Sequence, residues 1–269
     1  MMKHEILIEK CRRLGPWFHQ IDLGDQVLTR SVAASPGPQP LDHPLPRWLK
    51  IKDVLPADMS GMSVLDVGCS DGFFSVEIAK RNASRILSID AQRLAIKRLR
   101  WVKRHLKLGN ITALTGDIYK FHKGIAGLDS FFIFVHKCIR FISRKLRPGK
   151  VNESIYVARR FDMVFMFALL YHLKAPLLAL EYVAPLSDIL LIETLVVDDE
   201  ENSYLRYVAP MNGVTTEPKL LPTTRCLKDM LKWVGYEHVV EIADASDKRP
   251  IYLAYKEGAD LSGWQLPGK

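Results

Sequence analysis

A short run of acids and glycines is the segment of this sequence best suited to bind a ligand. It reads Asp66-Val67-Gly68-Cys69-Ser70-Asp71-Gly72. Gly68 permits a tight turn with the backbone close to a ligand, and Gly72 lets a helix begin near the preceding strand. A pyrophosphate loop would need a second glycine where Ser70 stands, and Asp66 and Asp71 would repel phosphates. Their charge instead suits a ligand that carries a sulfonium and an α-ammonium group.

Two further acids stand where later apolar runs end. Asp90 follows the run 85–89, about 20 residues beyond the glycine loop, where a carboxylate can accept both hydroxyls of a ribose. Gly116-Asp117 ends the next run, so Asp117 can take an adenine amino group and Ile118 can pack on the ring. Acids at three successive strand ends, together with the glycine loop, predict a site for an adenosine-containing cofactor. The predicted cofactor-binding residues are Asp66, Gly68, Cys69, Ser70, Gly72, Phe73, Asp90, Ala91, Gly116, Asp117, Ile118 and Phe167.

The elements that position these residues alternate between strand and helix patterns. Strands are predicted at 64–67, 85–90, 111–117, 161–167 and 188–193, and helices at 73–81, 94–108, 174–183 and 224–234. An antiparallel pair at 236–242 and 251–255 completes seven strands. The alternation predicts an α/β fold with a mostly parallel seven-stranded sheet and helices on both faces.

Two regions depart from this alternation. Residues 1–55 combine a helical pattern at 5–14 with four prolines and a glycine between Pro36 and Pro44, which predicts an N-terminal extension or lid. The core domain is expected at 56–257, with a C-terminal tail at 258–269. Within the core, residues 125–158 contain an amphipathic basic helix. This helical insert is either a lid or packing helix, or a surface for RNA, an anionic substrate or a partner subunit.

Composition places the chain among globular proteins, with 48% hydrophobic and 25% charged residues. The formal charge of +8 suits an anionic partner, but a basic soluble enzyme would show it too. None of the four cysteines forms a C-x-x-C pair, so we expect no metal site and a reducing, cytoplasmic location. The apolar runs are too short to span a membrane, so no membrane partner is expected.

Longer stretches of the sequence resemble a known family. VLDVGCSDGFFSVEIAKRNASRILSID at 64–90, followed by GDIY at 116–119, resembles class I S-adenosylmethionine methyltransferases. LLYHLKAPL and ETLVVDDEEN extend the likeness, over roughly 55–242, to the family of the tRNA wobble-uridine carboxymethyltransferase and its methyltransferase relatives. The resemblance implies a Rossmann-like fold, S-adenosyl-L-methionine as the cofactor and S-adenosyl-L-homocysteine as the product.

The same resemblance bears on which group is transferred. The carboxymethyltransferase holds the extra carboxylate of its cofactor with a lysine, a tyrosine and a C-terminal arginine. Tyr171 matches the tyrosine, Arg249 is a loose match for the arginine, and the lysine has no match. The basic motif that precedes the core in the tRNA enzyme is also missing here. The resemblance therefore implies ordinary methyl transfer more than carboxymethyl transfer.

The predicted catalytic residues follow the fourth strand. His172 is the chosen general base because the pKa of histidine lies near neutrality, with Tyr171 beside it. The alternative is that His172 only caps a helix or bonds the backbone. The predicted substrate-binding residues are His19, Tyr171, Glu193 and Arg249.

Three functions remain open at this point. The first is methyl transfer to an oxygen or nitrogen, less readily a carbon, of a small metabolite such as a sugar or natural product. The second is methyl or carboxymethyl transfer to an RNA base such as the wobble uridine of tRNA. The third is a non-catalytic protein that keeps the cofactor fold and binds a partner. The partner is thus expected to be a small molecule or RNA, and a homo-oligomer is left open.

Overall fold

The computed structural model describes residues 2–120, 160–210, 217–243 and 248–267. The predicted basic helix at 125–158 lies outside these residues. The described helices are α1 (Met2–Leu14), α2 (Thr29–Ala33), α3 (Leu45–Ile51), α4 (Phe73–Ala79), α5 (Arg93–His105), α6 (Pro176–Val183) and α7 (Thr224–Trp233). The strands are β1 (Ser63–Val67), β2 (Arg85–Asp90), β3 (Ile111–Thr115), β4 (Met163–Phe167), β5 (Ile189–Glu193), β6 (Leu205–Val208), β7 (Lys219–Pro222), β8 (His238–Ala243) and β9 (Ile251–Tyr255).

Seven strands form one sheet in the order β3-β2-β1-β4-β5-β9-β8. The pairs among β1 to β5 are parallel, and β9 runs antiparallel to both of its neighbours. The predicted seven-stranded, mostly parallel α/β fold is confirmed. Strand order reverses direction between β1 and β4, which is where open sheets of this kind bind ligands.

Local sequence explains why these elements form where they do. β4 and β5 are apolar along almost their whole length and are buried on both faces, as expected for central parallel strands. Helix α7 begins where Thr223 accepts a hydrogen bond from the backbone amide of Cys226 at 3.0 Å.

The N-terminal region packs on the sheet domain through apolar side chains. Trp17, Ile51 and Leu55 are each 2% exposed or less and belong to the same core cluster as Val64 of β1. The C-terminal tail joins this cluster through Trp264, and the amide of residue 265 donates to the carbonyl of residue 54 at 2.9 Å. The extension and the tail therefore share a core with the domain between them.

A two-stranded hairpin, β6 with β7, was not predicted. Its strands are only four residues long, and β6 is largely exposed, so the sequence carries little alternation to reveal it. β7 packs beside a 3-10 turn at Leu170–His172, directly after β4. In the part of the chain that the structure describes, no helix combines the length and apolarity needed to cross a bilayer.

Candidate active site

The glycine loop at 66–72 turns sharply at the end of β1. Gly68 has φ +76° and Gly72 has φ +92°, values that side chains rarely adopt. A Cβ at Gly72 would lie 2.3 Å from Leu99 Cδ1, so the absence of a side chain lets α5 pack against the loop. The amide of Gly68 donates to the carbonyl of Ile89 at 2.8 Å, which ties the loop to the end of β2.

Asp90 organises the predicted cofactor site. Its Oδ2 accepts the amide of Ser70 at 2.8 Å and its Oδ1 accepts the amide of Gln92 at 2.7 Å, so one carboxylate fixes both the loop and the start of α5. Burial raises the pKa of Asp90, and no ion pair offsets this within the described ranges. Each carboxylate oxygen can still accept from a further donor. Two hydroxyls of a ribose fit this chemistry.

Asp117 and its neighbours lie beside Asp90. The amide of Gly116 donates to the backbone carbonyl of Asp90 at 2.9 Å, which brings the ends of β2 and β3 together. Asp117 is exposed, and Ile118 is buried in the turn that follows. Ala91 is exposed next to Asp90, while Cys69, Phe73 and Phe167 are buried around the loop. We call this region, the ends of β1 to β3 with the glycine loop, the cofactor half.

Two acids of the glycine loop have structural partners. Asp66 is buried, accepts from Ser75 Oγ at 2.5 Å, and has its pKa raised to about 7 by burial. Its direct contact with a cofactor stays a prediction. Asp71 is fully buried and ion-paired with Arg98 at 3.1 Å. The expectation that Asp71 adds free negative charge to the loop is therefore wrong.

A second group of side chains surrounds the ends of β4 and β5. Glu193, only 2% exposed, accepts two hydrogen bonds from Arg249, and its Oε2 also accepts the amide of Ala168 at 2.9 Å. Arg249 reaches the hydroxyl of Tyr171 through both terminal nitrogens, at 3.3 and 3.4 Å. The predicted substrate residues Tyr171, Glu193 and Arg249 are thus in contact with one another.

Residues that the sequence analysis missed complete this group. Arg47 of α3 lies 3.8 Å from a Glu193 oxygen, and the Lys219 ammonium lies 5.4 Å from the ring centre of Tyr171. Nothing in the local sequence marks either residue, because they reach the site from the N-terminal region and from the hairpin. We call the ends of β4 and β5, with Arg47, Lys219 and Arg249, the acceptor half.

His172 stands at the exposed rim of the acceptor half, with its ring centre 4.2 Å from that of Tyr171. Desolvation by the surrounding protein, followed by the charge of Lys219, lowers the pKa of His172. The imidazole is therefore neutral at neutral pH and able to take a proton. Its catalytic role stays a prediction.

Among the described residues, His19 is hydrogen-bonded to Phe73 and not to Glu193 or Arg249. Its Nδ1 accepts the amide of Phe73 at 3.3 Å, at the end of the glycine loop. Burial, then the charge of Arg30, lowers the pKa of His19 to about 3. The structure therefore places His19 against the cofactor half, whereas the sequence had assigned it to the substrate. Among the described residues, no group of three metal-ligating side chains is arranged around a cation.

Comparison with known proteins adds to this geometry. Residues 58–145 match the sequence model of a family described as "Methyltransferase domain". The matched segment includes the glycine loop, Asp90 and Asp117, which are the residues of the cofactor half.

Solved structures show the same fold. The N-terminal domain of EvdMO1, crystallised in the presence of SAH and D-fucose, aligns with TM-score 0.63 and 13% identity over 95% of this chain and 98% of that chain. The (4+2)-cyclase SpnF aligns with TM-score 0.53 and 13% identity over 93% and 92%. A methyltransferase from Listeria monocytogenes described as S-adenosylmethionine dependent aligns with TM-score 0.50 and 15% identity over 78% and 98%. At such identities the likeness concerns the fold.

The match at 58–145 and the shared fold together support an S-adenosylmethionine-dependent methyltransferase. The site fits this cofactor on its own chemistry: Asp90 retains acceptor capacity for hydroxyls, and the turn at Gly68 brings the backbone close to a ligand.

Proposed function

We propose that the protein transfers the methyl group of S-adenosylmethionine to an oxygen or nitrogen of a small molecule such as a sugar or natural product. The observation that carries the proposal is the enclosure of the acceptor half. Tyr171 and Glu193 are 6% and 2% exposed, and α3, the hairpin and the loop before β9 each contribute a side chain around them. Such an enclosed site suits a small ligand better than a polymer.

Solved structures support the choice of ligand without establishing it. The EvdMO1 domain was crystallised with a sugar, D-fucose, and this chain aligns with nearly all of that domain. SpnF is a cyclase, so the shared fold is compatible with more than one reaction. The assignment of a small-molecule substrate therefore rests on the enclosure of the acceptor half.

The proposed chemistry assigns a role to each group. S-adenosylmethionine supplies a methyl already activated by the sulfonium. Tyr171, fixed by Arg249, forms a wall that orients the acceptor atom for in-line attack. His172 takes the proton that a hydroxyl or amine acceptor loses, because its lowered pKa keeps the imidazole neutral. Glu193 is held by Arg249 and by the amide of Ala168, so it positions rather than accepts a proton.

An RNA substrate is the second candidate. Helix α5 carries six lysines and arginines over 13 residues and no acid, and Arg93, Lys97 and Arg104 on it are exposed. Such a face attracts a polyanion. The proposed relation to the tRNA wobble-uridine family belongs to this candidate.

One experiment separates the two candidates. The protein is incubated with S-adenosylmethionine labelled on the methyl, and either a small-metabolite extract or bulk RNA. We expect label in a small molecule with wild type and none with the Asp90→Ala control. Label in RNA, with binding that weakens steeply as salt rises, would replace the proposal with the second candidate. Label in neither fraction would contradict both.

A further inference from the structure

The hydrogen bond between His19 and Phe73 fixes which ring nitrogen of His19 carries a proton. Because Nδ1 accepts the Phe73 amide at 3.3 Å, the neutral imidazole holds its proton on Nε2. Within the described ranges, this Nε2–H has no hydrogen-bond partner, and the atom is not fully enclosed although the residue as a whole is only 6% exposed. In the described part of the chain, a donor beside the glycine loop is thus open to a ligand.

A buried cation, Arg30, lies close enough to His19 for its charge to lower the pKa of the ring. Arg30 is 3% exposed and donates to the carbonyls of Trp17 at 3.2 Å, Phe18 at 2.9 Å and Gln39 at 2.9 Å. Its acceptors are neutral, and the structure pairs it with no carboxylate in the described part of the chain. Its Nε is buried and has no partner. A guanidinium buried without a counter-charge is costly, so the site favours an anion nearby.

The backbone around His19 is fastened to the glycine loop. Asp71 Oδ2 accepts the amides of Phe18 at 2.6 Å and His19 at 3.1 Å, while Oδ1 pairs with Arg98. Arg98 in turn donates to the carbonyl of Leu14 at 2.8 Å. The segment expected to act as a lid is therefore held against the cofactor half by a buried ion pair.

The cofactor has one anionic group that needs such a partner. If the ribose of the cofactor is bound by Asp90, the adjoining glycine loop, whose Ser70 amide donates to Asp90, would be the segment that receives its amino-acid part. Asp66 of the loop and Asp90 at the end of β2 are acidic, so they suit the sulfonium and the ammonium but not the carboxylate. His19, whose Nδ1 accepts the Phe73 amide at the end of the loop, is a donor that borders the loop, and Arg30 is the buried cation of the same N-terminal segment.

We propose that His19 binds the carboxylate of the methionine part of S-adenosylmethionine through Nε2–H, with Arg30 balancing the charge and Asp71 acting as a positioning residue. The inference rests on the proposed function for the presence of this cofactor. It moves His19 from the acceptor to the cofactor, and it gives the N-terminal segment a fixed place in cofactor binding.

The test compares two ligands that differ only in this carboxylate. Calorimetry on the full chain measures the Kd of S-adenosylmethionine and of decarboxylated S-adenosylmethionine. We expect wild type to prefer the carboxylated ligand by roughly 10- to 100-fold, the value of a charge-assisted hydrogen bond. His19→Ala should remove most of this preference while changing the Kd of the decarboxylated ligand by less than about threefold. His19→Gln, which keeps a side-chain donor, should restore part of it.

Controls separate binding from folding. His238→Ala, on the edge strand β8 where the residue pairs with Glu257, should keep the full preference. Asp71→Asn should reduce the preference through His19, and imidazole 15N shifts should show that His19 is no longer a single Nε2–H tautomer. Circular dichroism confirms that each variant is folded.

Two results would overturn the inference, and they differ in what else they affect. If wild type binds both ligands with equal Kd, or if His19→Ala weakens the binding of both equally, His19 does not bind the carboxylate. Either result leaves the proposed function intact. If wild type binds neither ligand, S-adenosylmethionine is not the cofactor, and both the inference and the proposed function are wrong.

Discussion

Asp90 and Glu193 both end strands of one sheet, but their surroundings are opposite. Asp90 accepts two backbone amides and has no ion pair among the described residues. Glu193 is bound by Arg249 and lies near Arg47. The cofactor half thus keeps an unneutralised carboxylate, whereas the acceptor half has more cations than acids. The carboxyl ends of one sheet therefore present two groups of side chains of opposite charge.

The largest expected effect is a loss of stability when Asp71 is replaced, since this acid of the cofactor half is neutralised by a cation. Asp71 lies in the cofactor half but is paired with Arg98, so Asp71→Ala leaves a buried guanidinium without its counter-charge and the amides of Phe18 and His19 without an acceptor. We expect the free energy of unfolding to fall by about 3–5 kcal/mol in urea titrations. The double variant Asp71→Ala/Arg98→Met should recover a large part of the loss. If the double variant is as unstable as the single one, the buried ion pair is not the cause.

A matched pair of carboxylate-to-amide variants tests whether the cofactor half, and not the acceptor half, binds S-adenosylmethionine. Asp90→Asn should weaken S-adenosylmethionine binding by roughly 10- to 100-fold, because a carboxylate that accepts hydroxyls is lost. Glu193→Gln, the same change in the acceptor half, should alter the Kd by less than about threefold. Calorimetry measures both. Equal effects of the two variants would show that the halves do not separate cofactor from acceptor.

The pKa of His172 reports the positive charge of the acceptor half. An NMR titration should place it below the ordinary histidine value, because surrounding protein desolvates the ring and Lys219 lies nearby. Lys219→Met removes a positive charge that disfavours protonation, so the pKa of His172 should rise toward that value. Lys228→Met, on α7 where the lysine pairs with Glu200, is the control and should leave it unchanged. A pKa that falls in Lys219→Met would contradict this electrostatic account.

The smallest expected effect is a change in stability at Ala168, between the cofactor half and the acceptor half. Ala168 follows β4 with φ +54°, a conformation that costs a side chain about 1 kcal/mol. Ala168→Gly should therefore raise the free energy of unfolding by up to about 1 kcal/mol, less the added freedom of glycine in the unfolded chain. Ala79→Gly, in helix α4, should lower it by a similar amount. Destabilisation by both variants would mean that the strain at Ala168 is negligible.

The cofactor half could be predicted from sequence because its residues are local. Gly68, Ser70 and Asp90 lie within one strand-helix-strand unit, and the periodicity of that unit sets their arrangement. The acceptor half could be predicted only in part, since Arg47 and Lys219 reach it from elements distant in sequence. Asp71 was misread because sequence gives the charge of a residue but not the partner, Arg98, that neutralises it.

The placement of β9 has a consequence for the order in which the sheet is built during synthesis. β9 lies between β5 and β8, so β8 leaves the ribosome before the strand that it must pair with. The acceptor half, which includes Arg249 just before β9, is completed only when residues 251–255 have emerged. The nascent chain therefore exposes the edge of β5 until a late stage, and this edge is where premature strand pairing would begin.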